Sequence, residues 1–308
     1  MLAAAGCLTA TDVAAASSTG GTAPSTSAAG PAAPLTTSAQ RTGSAFNGTR
    51  AVGALFLRSG SHLGHHFCTA SVVHSPAGDL LLTAAHCMVG VNLKPAGAVV
   101  FAPGYHKGRF PLGLWEVTGK FVTARWAASR DPDDDFAFLV VGGHSQPVER
   151  AAGAEHLRTG TRLPALVQVI GYPDASSSPI RCSAQARAFV TRSLRQLKFI
   201  CGGYTDGTSG GPFLWQVNTR TGTGSIIGAI GGYQQGGNTS AISYSAMFGS
   251  VIAALYRTAT APAPKPTPTP TPTLTPSTSP TASPSPTPSP ASSTSPGLDN
   301  RADNGYTA

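Results

Sequence analysis

The chain has 308 residues, with 21 Lys plus Arg against 13 Asp plus Glu, for a formal net charge of +8. It holds no run of 18 apolar residues, so no helix is expected to cross a membrane. Its basic residues are scattered, without a Lys/Arg run, a finger spacing or aromatic interleaving, which argues against a role in nucleic-acid recognition.

Composition divides the chain in three. Residues 1–45 are mostly Ala, Ser, Thr and Gly, and residues 259–308 mostly Pro, Ser and Thr. Neither stretch carries enough large apolar side chains to offset the entropy of ordering. Residues 46–258 hold nearly all the aromatic and β-branched residues and the whole excess of positive charge, and are long enough to bury a substantial core. In chain order, the opening MLAAAGCLTATDVAAA is small and apolar, as around an export-leader cleavage site, although it lacks a basic start and a full apolar segment. Ala4-Ala5-Gly6-Cys7 weakly resembles a lipoprotein processing box; the plainer expectation for Cys7 is a residue removed or left unstructured.

From Phe46 the pattern is one of short strands broken by Gly, Pro and Asp. Strands are expected at Val52–Leu57, Cys68–Val73, Leu80–Thr83, Val99–Ala102, Phe136–Val141, Val167–Gly171, Ala186–Thr191, Pro212–Trp215 and Ser225–Ile230. With no helices alternating between them, they imply a sandwich or barrels. One helix is expected over Ser245–Tyr256, where Met247, Val251, Ile252 and Leu255 recur at helical spacing. The tail repeats proline every second or third residue, which favours an extended, solvated stalk. Four cysteines lie in the middle part, Cys68, Cys87, Cys182 and Cys201. An even count in an exported chain reads as two disulfides, with three connectivities open.

Chemistry concentrates in two segments. Gly207-Thr208-Ser209-Gly210-Gly211-Pro212 sets a serine in a glycine-rich turn that runs into a strand. Glycines there admit a substrate carbonyl close to the backbone, so the amides of Gly207 and Ser209 can point at one oxyanion. A serine hydroxyl needs a neighbouring base, and histidine suits because its pKa lies near neutrality. Of the eight histidines, His86 stands out, at the end of the apolar Leu81-Leu82-Thr83-Ala84-Ala85 and beside Cys87.

Leu82-Thr83-Ala84-Ala85-His86-Cys87, followed much later by Gly207-Thr208-Ser209-Gly210-Gly211-Pro212, resembles the chymotrypsin family of serine proteases, and its secreted bacterial branch in particular. The likeness runs from about Phe46 to Tyr256. It implies an all-β fold of two antiparallel Greek-key barrels with a C-terminal helix, and a triad of His86, an acid and Ser209. The acid falls between them in family order. Asp135 matches by register, two residues before Ala137 in Asp133-Asp134-Asp135-Phe136-Ala137, which leaves Asp133 and Asp134 as loop residues, solvated or capping. The resemblance also implies a Cys68–Cys87 bridge beside the histidine; the remaining pair, Cys182 and Cys201, would brace the approach to Gly203.

Three departures from the animal enzymes bear on function. Thr208 stands where they carry the aspartate that receives a new amino terminus, so activation by terminal insertion is not expected. Gly203, six residues before Ser209, replaces the acid of a trypsin pocket, and no histidine follows His156. With Gly202, Gly231 and Gly232, Gly203 suggests an open, uncharged substrate pocket that could take an apolar side chain and gives no support for Arg or Lys. The second cysteine pair also differs from the animal pattern. His62, His65, His66 and Cys68 lie close together, but a disulfide sulfur is no thiolate ligand; a polar hairpin rim is expected there and no metal.

The resulting expectation is a secreted or cell-surface monomer, weakly associated with anionic cell-wall polymers, that hydrolyses peptide bonds without a cofactor. Its domains would be a leader (1–45), a protease domain (46–258) and a stalk (259–308). The alternatives are an inactive protease-fold adhesion protein and an esterase that uses the same triad.

Overall fold

The computed structural model describes residues 41–94 and 97–262. They lie in the first of two units, Met1–Pro262; the second, Ala263–Ala308, falls outside the described residues, as do the leader up to residue 40, Cys7 and the Pro-rich stalk.

The strands are β1 (Ser44–Ala45), β2 (Val52–Ser59), β3 (His62–Val73), β4 (Leu80–Thr83), β5 (Val99–Pro103), β6 (Trp115–Phe121), β7 (Ala137–Gly142), β8 (His156–Leu157), β9 (Ala165–Gly171), β10 (Ile180–Val190), β11 (Arg195–Ile200), β12 (Pro212–Trp215), β13 (Ser225–Ala229) and β14 (Ile242–Ala246). Short helices α1 (Ala124–Ser129) and α2 (Val148–Ala152) lie in the first half, and α3 (Ser250–Ala259) closes the fold. A closed six-strand barrel runs β2-β3-β4-β7-β6-β5. It shuts where β5 pairs back on β2, from Gly53 opposite Pro103 to Leu57 opposite Val99. An eight-strand sheet follows, in the order β14-β11-β10-β9-β12-β13-β8, with β1 on β10. It curls back on itself: Ala229 N–H donates to Ser245 Oγ at 2.9 Å and Gly231 N–H to Tyr244 O at 3.0 Å, which brings the end of β13 against β14.

Three cores explain why several strands read as unbroken apolar runs. Leu81, Ala137 and Leu139 fill the first barrel, whereas Leu80, Leu82, Phe136 and Phe138 point outward into a core shared with Ile170, Tyr172, Leu214 and Phe248 of the second half. A strand covered on both faces needs no polar alternation. Val167, Val169, Phe199 and Phe213 fill the second barrel.

The strands missing from the sequence reading have mixed patterns. β6 carries Glu116 and Lys120 on its more exposed positions and shifts register between Val117 and Gly119. β14 buries Ser243 and Ser245 among its apolar residues. Its pairing with β11, Gln196 opposite Ala246 and Leu197 opposite Ser245, also moves the helix. Ladder hydrogen bonds claim Ser245 and Ala246, so α3 starts at Ser250 and not at Ser245. The folded part also begins ahead of Phe46: Ser44 pairs with Arg181, Ala45 with Ile180, and Gly43 N–H donates to Gly202 O at 2.8 Å.

The connection between the barrels is clamped at Glu155. Its N–H donates to Val72 O and its carbonyl accepts from His74 N, both at 2.9 Å. Its side chain is fully buried, with Oε2 accepting from Gly224 N–H and Oε1 left without a partner. Burial pushes this carboxyl from the ordinary 4.5 up to about 8, against the opposing pull of the Gly224 hydrogen bond. A folded-state pKa above the unfolded one means that the native state holds the proton more tightly, so stability contributed by Glu155 falls as pH rises from about 4.5 to about 8. Glu155→Gln is expected to be near neutral at pH 4 to 5. At pH 9 it should raise Tm, by roughly 2–4 °C for each kcal/mol recovered. Thermal melts of both proteins across that range check it, and equal pH dependence in the two would contradict the assignment.

Candidate active site

The serine turn lies between the barrels and is held from both. Thr69, fully buried on β3, donates from its N–H to Ser209 O at 2.7 Å and from Oγ1 to Gly207 O at 3.0 Å, and the same Oγ1 accepts Tyr172 N–H at 2.9 Å. Thr83 Oγ1 donates to Thr69 O at 2.8 Å. On the other side, Gly210 N–H donates to Ile230 O at 2.7 Å and Ile230 N–H to Gly211 O at 2.8 Å. Two glycines are demanded by this squeeze. Gly207 has φ +84° and would set a Cβ against Tyr172 O and Asp174 N; Gly210 has φ +82° and would set one against Thr83 Oγ1 and Thr69 O. Among the described residues, the amides of Gly207 and Ser209 find no protein acceptor. Thr208, which precedes the serine, is buried with its Oγ1 donating to Thr205 O at 2.6 Å, so no carboxylate is needed to hold this turn.

His86 lies in a single 3-10 turn, His86–Met88, directly after β4, and the Cys68–Cys87 disulfide pins that turn to β3. Its Nδ1 is 2.7 Å from Asp135 Oδ2, and its backbone N–H donates to Asp135 Oδ1 at 2.8 Å. Gly232 N–H from the second barrel adds a third bond, to Oδ2 at 2.7 Å. Asp135 is 1% exposed and accepts only, so the proton of this pair sits on Nδ1 and leaves Nε2 as the free acceptor. No hydrogen bond joins Ser209 to His86 here; such contacts tighten when substrate is bound.

The acidic run does three different things. Asp134 is not a solvated loop residue: it is 1% exposed and accepts from Thr123 Oγ1 at 2.7 Å and from Arg125 through Nε and Nη2. Burial would raise its pKa, and the hydrogen bonds from Arg125 and Thr123 outweigh it, holding the carboxyl below the usual range. Asp133 reaches the second barrel, accepting from Arg195 N–H at 3.0 Å and from Gln196 Nε2. Buried Gln196 then accepts Tyr233 N–H at 3.1 Å, which fixes the segment that follows Gly232. Neither Thr69 nor Gln196 stood out in the sequence, because each acts through residues distant along the chain.

A cavity of about 250 Å³ opens beside Ser209, lined by Tyr204 to Asp206, Thr208, Ile230, Gln235 to Ser240 and Ser243. Gly203, Gly231 and Gly232, read as pocket residues, are not in this lining, although Gly203 and Gly231 adjoin its Tyr204 and Ile230; a Cβ at Gly203 would meet Ile180 and Thr42, one at Gly231 Ala84 and Asp135, and one at Gly232 Gln196. The Cys182–Cys201 disulfide forms two residues ahead of Gly203. His66 belongs to no hairpin rim: it is buried, its Nε2 lies 3.0 Å from Pro173 O, and it packs among Phe56, Tyr105 and Tyr172. Desolvation lowers its pKa, which favours the neutral ring, and the Pro173 carbonyl as acceptor places a proton on Nε2. His62 and His65 are exposed. Cys68, His86 and Cys87 also bring ligand-type atoms together, but both sulfurs are in the disulfide and neither is a thiolate.

Thr69→Val keeps the shape of the side chain and removes both hydrogen bonds of Oγ1. The fold should persist while the serine turn loosens, slowing covalent labelling of Ser209 by a fluorophosphonate by about tenfold to a hundredfold. Labelling rates measured beside thermal melts check this; an unchanged rate would show that Thr69 does not position the turn.

The trypsin family model matches residues 40–252. No curated protein matches the chain. Among solved structures, the chain is similar to the protease Anisep from Arthrobacter nicotinovorans, at 24% identity and a TM-score of 0.59 over 71% of this chain and 99% of that one. It is also similar to the thermostable serine protease AL20 from an extremophilic microorganism, at 24% identity and a TM-score of 0.57 over 69% and 97%. A Glu endopeptidase in complex with MPD gives 15% identity and 0.53 over 72% and 98%. At these identities the likeness to solved structures is one of fold. The match to the family model, spanning both barrels, shows that this chain belongs to the trypsin family of chymotrypsin-like serine proteases.

Proposed function

We propose that the protein is a secreted, monomeric serine endopeptidase in which Ser209 is the nucleophile, His86 the general base and Asp135 the acid that orients it. The observation that carries this reading is the buried Asp135 carboxylate, held by three donors with its Oδ2 on His86 Nδ1 at 2.7 Å. An acid so placed fixes the imidazole tautomer and stabilises the imidazolium that forms. His86 Nε2 takes the proton of Ser209 Oγ as the oxygen attacks the peptide carbonyl. The unpaired amides of Gly207 and Ser209 bind the resulting oxyanion. His86 passes its proton to the leaving amine as the C–N bond breaks, which leaves an acyl-enzyme. Water then attacks the ester carbonyl, giving a proton to His86, which returns it to Ser209 Oγ as the acid product leaves.

The cavity beside Ser209 supports a side chain other than Arg or Lys at the residue before the cut. Its lining holds one carboxylate, Asp206, which is exposed and offers no buried partner for a cation. The two disulfides fit an oxidising compartment outside the cell. The net charge of +8 fits a loose association with anionic wall polymers.

A fluorophosphonate should label the intact protein and fail to label Ser209→Ala; equal labelling of the two would end this reading. Mapping of cleavage sites in a mixed peptide library should show few cuts after Arg or Lys, and a preference for either would overturn the view of the pocket. Asp135→Asn should lower kcat by about 10⁴-fold with Tm little changed, because the wrong tautomer faces Ser209. Asp134→Asn, which weakens the grip on Arg125, should lower Tm and leave kcat within a few-fold; the opposite pattern would exchange the two acids.

A further inference from the structure

We infer that the cavity beside Ser209 selects an uncharged side chain of the carboxamide class, glutamine above all, and that the Ser243 hydroxyl at its wall reads that amide. This rests on the protease reading and names the substrate side chain for the same site.

The starting point is which polar groups around the cavity are already engaged. Tyr204 donates its hydroxyl to Val169 O at 2.7 Å, and Thr208 donates to Thr205 O at 2.6 Å, so both are occupied by the fold. Ser243 is not. It sits in the middle of β14, opposite Phe199 in the ladder with β11, and is 1% exposed. It lines the cavity, and among the described residues its hydroxyl makes no hydrogen bond to the protein. Ser245, two residues along on the same face, shows the contrast: its Oγ accepts Ala229 N–H at 2.9 Å and donates to Ala246 O at 2.8 Å. Unlike the sealed Glu155 Oε1, this hydroxyl opens onto the cavity, so a group that enters and displaces water must pair with it or leave it unsatisfied.

Asp206 and Ser209 apart, the remaining polar lining consists of Thr205, Gln235, Asn238, Thr239 and Ser240, all neutral groups able to donate and accept. No Lys, Arg or His lines the cavity, and its one charged group is the Asp206 carboxylate. A glutamate side chain would enter without a counter-ion and beside a like charge, which disfavours it. A methionine side chain of similar size would leave Ser243 without a partner. A carboxamide supplies an acceptor and two donors and carries no charge, and the volume of about 250 Å³ accommodates glutamine. Sites built to hydrogen-bond a substrate group reject the analogue that lacks it far more strongly than apolar pockets separate homologues.

The test uses the full chain and three peptides that differ only in the residue before the cut: Gln, Met and Glu, close to one another in size. The Gln peptide should show a kcat/KM at least about tenfold above each of the others. Ser243→Ala should bring the Gln to Met ratio down towards one, and Asp206→Asn should raise the Glu to Gln ratio. Met or Glu cleaved as well as Gln, or a Gln to Met ratio unchanged in Ser243→Ala, overturns the inference. Protein that is labelled by a fluorophosphonate yet cleaves none of the three peptides overturns the inference alone. Protein that is neither labelled nor active overturns the protease reading with it.

Discussion

Thr69 is the point at which the two barrels are joined in register for chemistry. Its backbone belongs to β3, yet its N–H and Oγ1 reach Ser209 O and Gly207 O, and its Oγ1 takes Tyr172 N–H. These groups are buried, so each hydrogen bond replaces one to water that cannot be recovered, and leaving any of them unmade would cost more than making it gains. The serine turn therefore cannot drift relative to β3 without breaking several bonds at once. Because Cys68, the neighbour of Thr69, is bonded to Cys87, the same short stretch also fixes the turn that carries His86. The positions of Ser209 and His86, the proposed nucleophile and base, are thus referred to one segment of one strand, although the two belong to different barrels.

The acid side of the site is joined by a second seam. Asp133, Asp134 and Asp135 are consecutive, but the 3-10 turn at Pro132–Asp134 and the extended residues after it send the three carboxylates in different directions. Asp134 gathers Thr123 and Arg125 of the first barrel, which holds the loop from behind. Asp133 takes backbone and side-chain donors from Arg195 and Gln196, and Gln196 in turn fixes Tyr233. Asp135 is left facing His86 with Gly232 across the seam. A hydrogen-bonded network of this kind, satisfied throughout, favours one arrangement of the two barrels over nearby alternatives.

The legible parts of the sequence were those whose physics is local. A strand buried on both faces appears as a short apolar run, and Leu80–Thr83 and Pro212–Trp215 were read to the residue. The glycine turn and the Ala84-Ala85-His86-Cys87 step were legible for the same reason, since backbone shape and reactive side chain lie within a few residues. Asp135 could be chosen among three acids only by its register with Ala137. What was not legible depends on partners far along the chain. β14 shows no clean alternation because Ser243 and Ser245 are buried for different reasons, one engaged with Ala229 and Ala246 and the other open to the cavity. Counting back six residues from Ser209 reaches Gly203, where a side chain would meet Thr42 and Ile180, contacts that depend on chain far away in the sequence.

The same reasoning separates polar groups that build the fold from those that await a ligand. Buried donors and acceptors in a native structure are nearly all paired, so the few without partners are informative. Glu155 Oε1 is one of them, sealed in the inter-barrel connection, and its cost appears as a raised pKa. It has no route to substrate and only makes the joint sensitive to alkali. The amides of Gly207 and Ser209 and the hydroxyl of Ser243 are also without protein partners, but they border the cavity beside the serine. In the proposed reading an entering peptide satisfies all of them together, the amides with its carbonyl oxygen and the hydroxyl with its side chain. A site organised in this way gains binding energy at the reacting bond and at the side chain from groups the fold already holds rigid, without having to order them when substrate arrives.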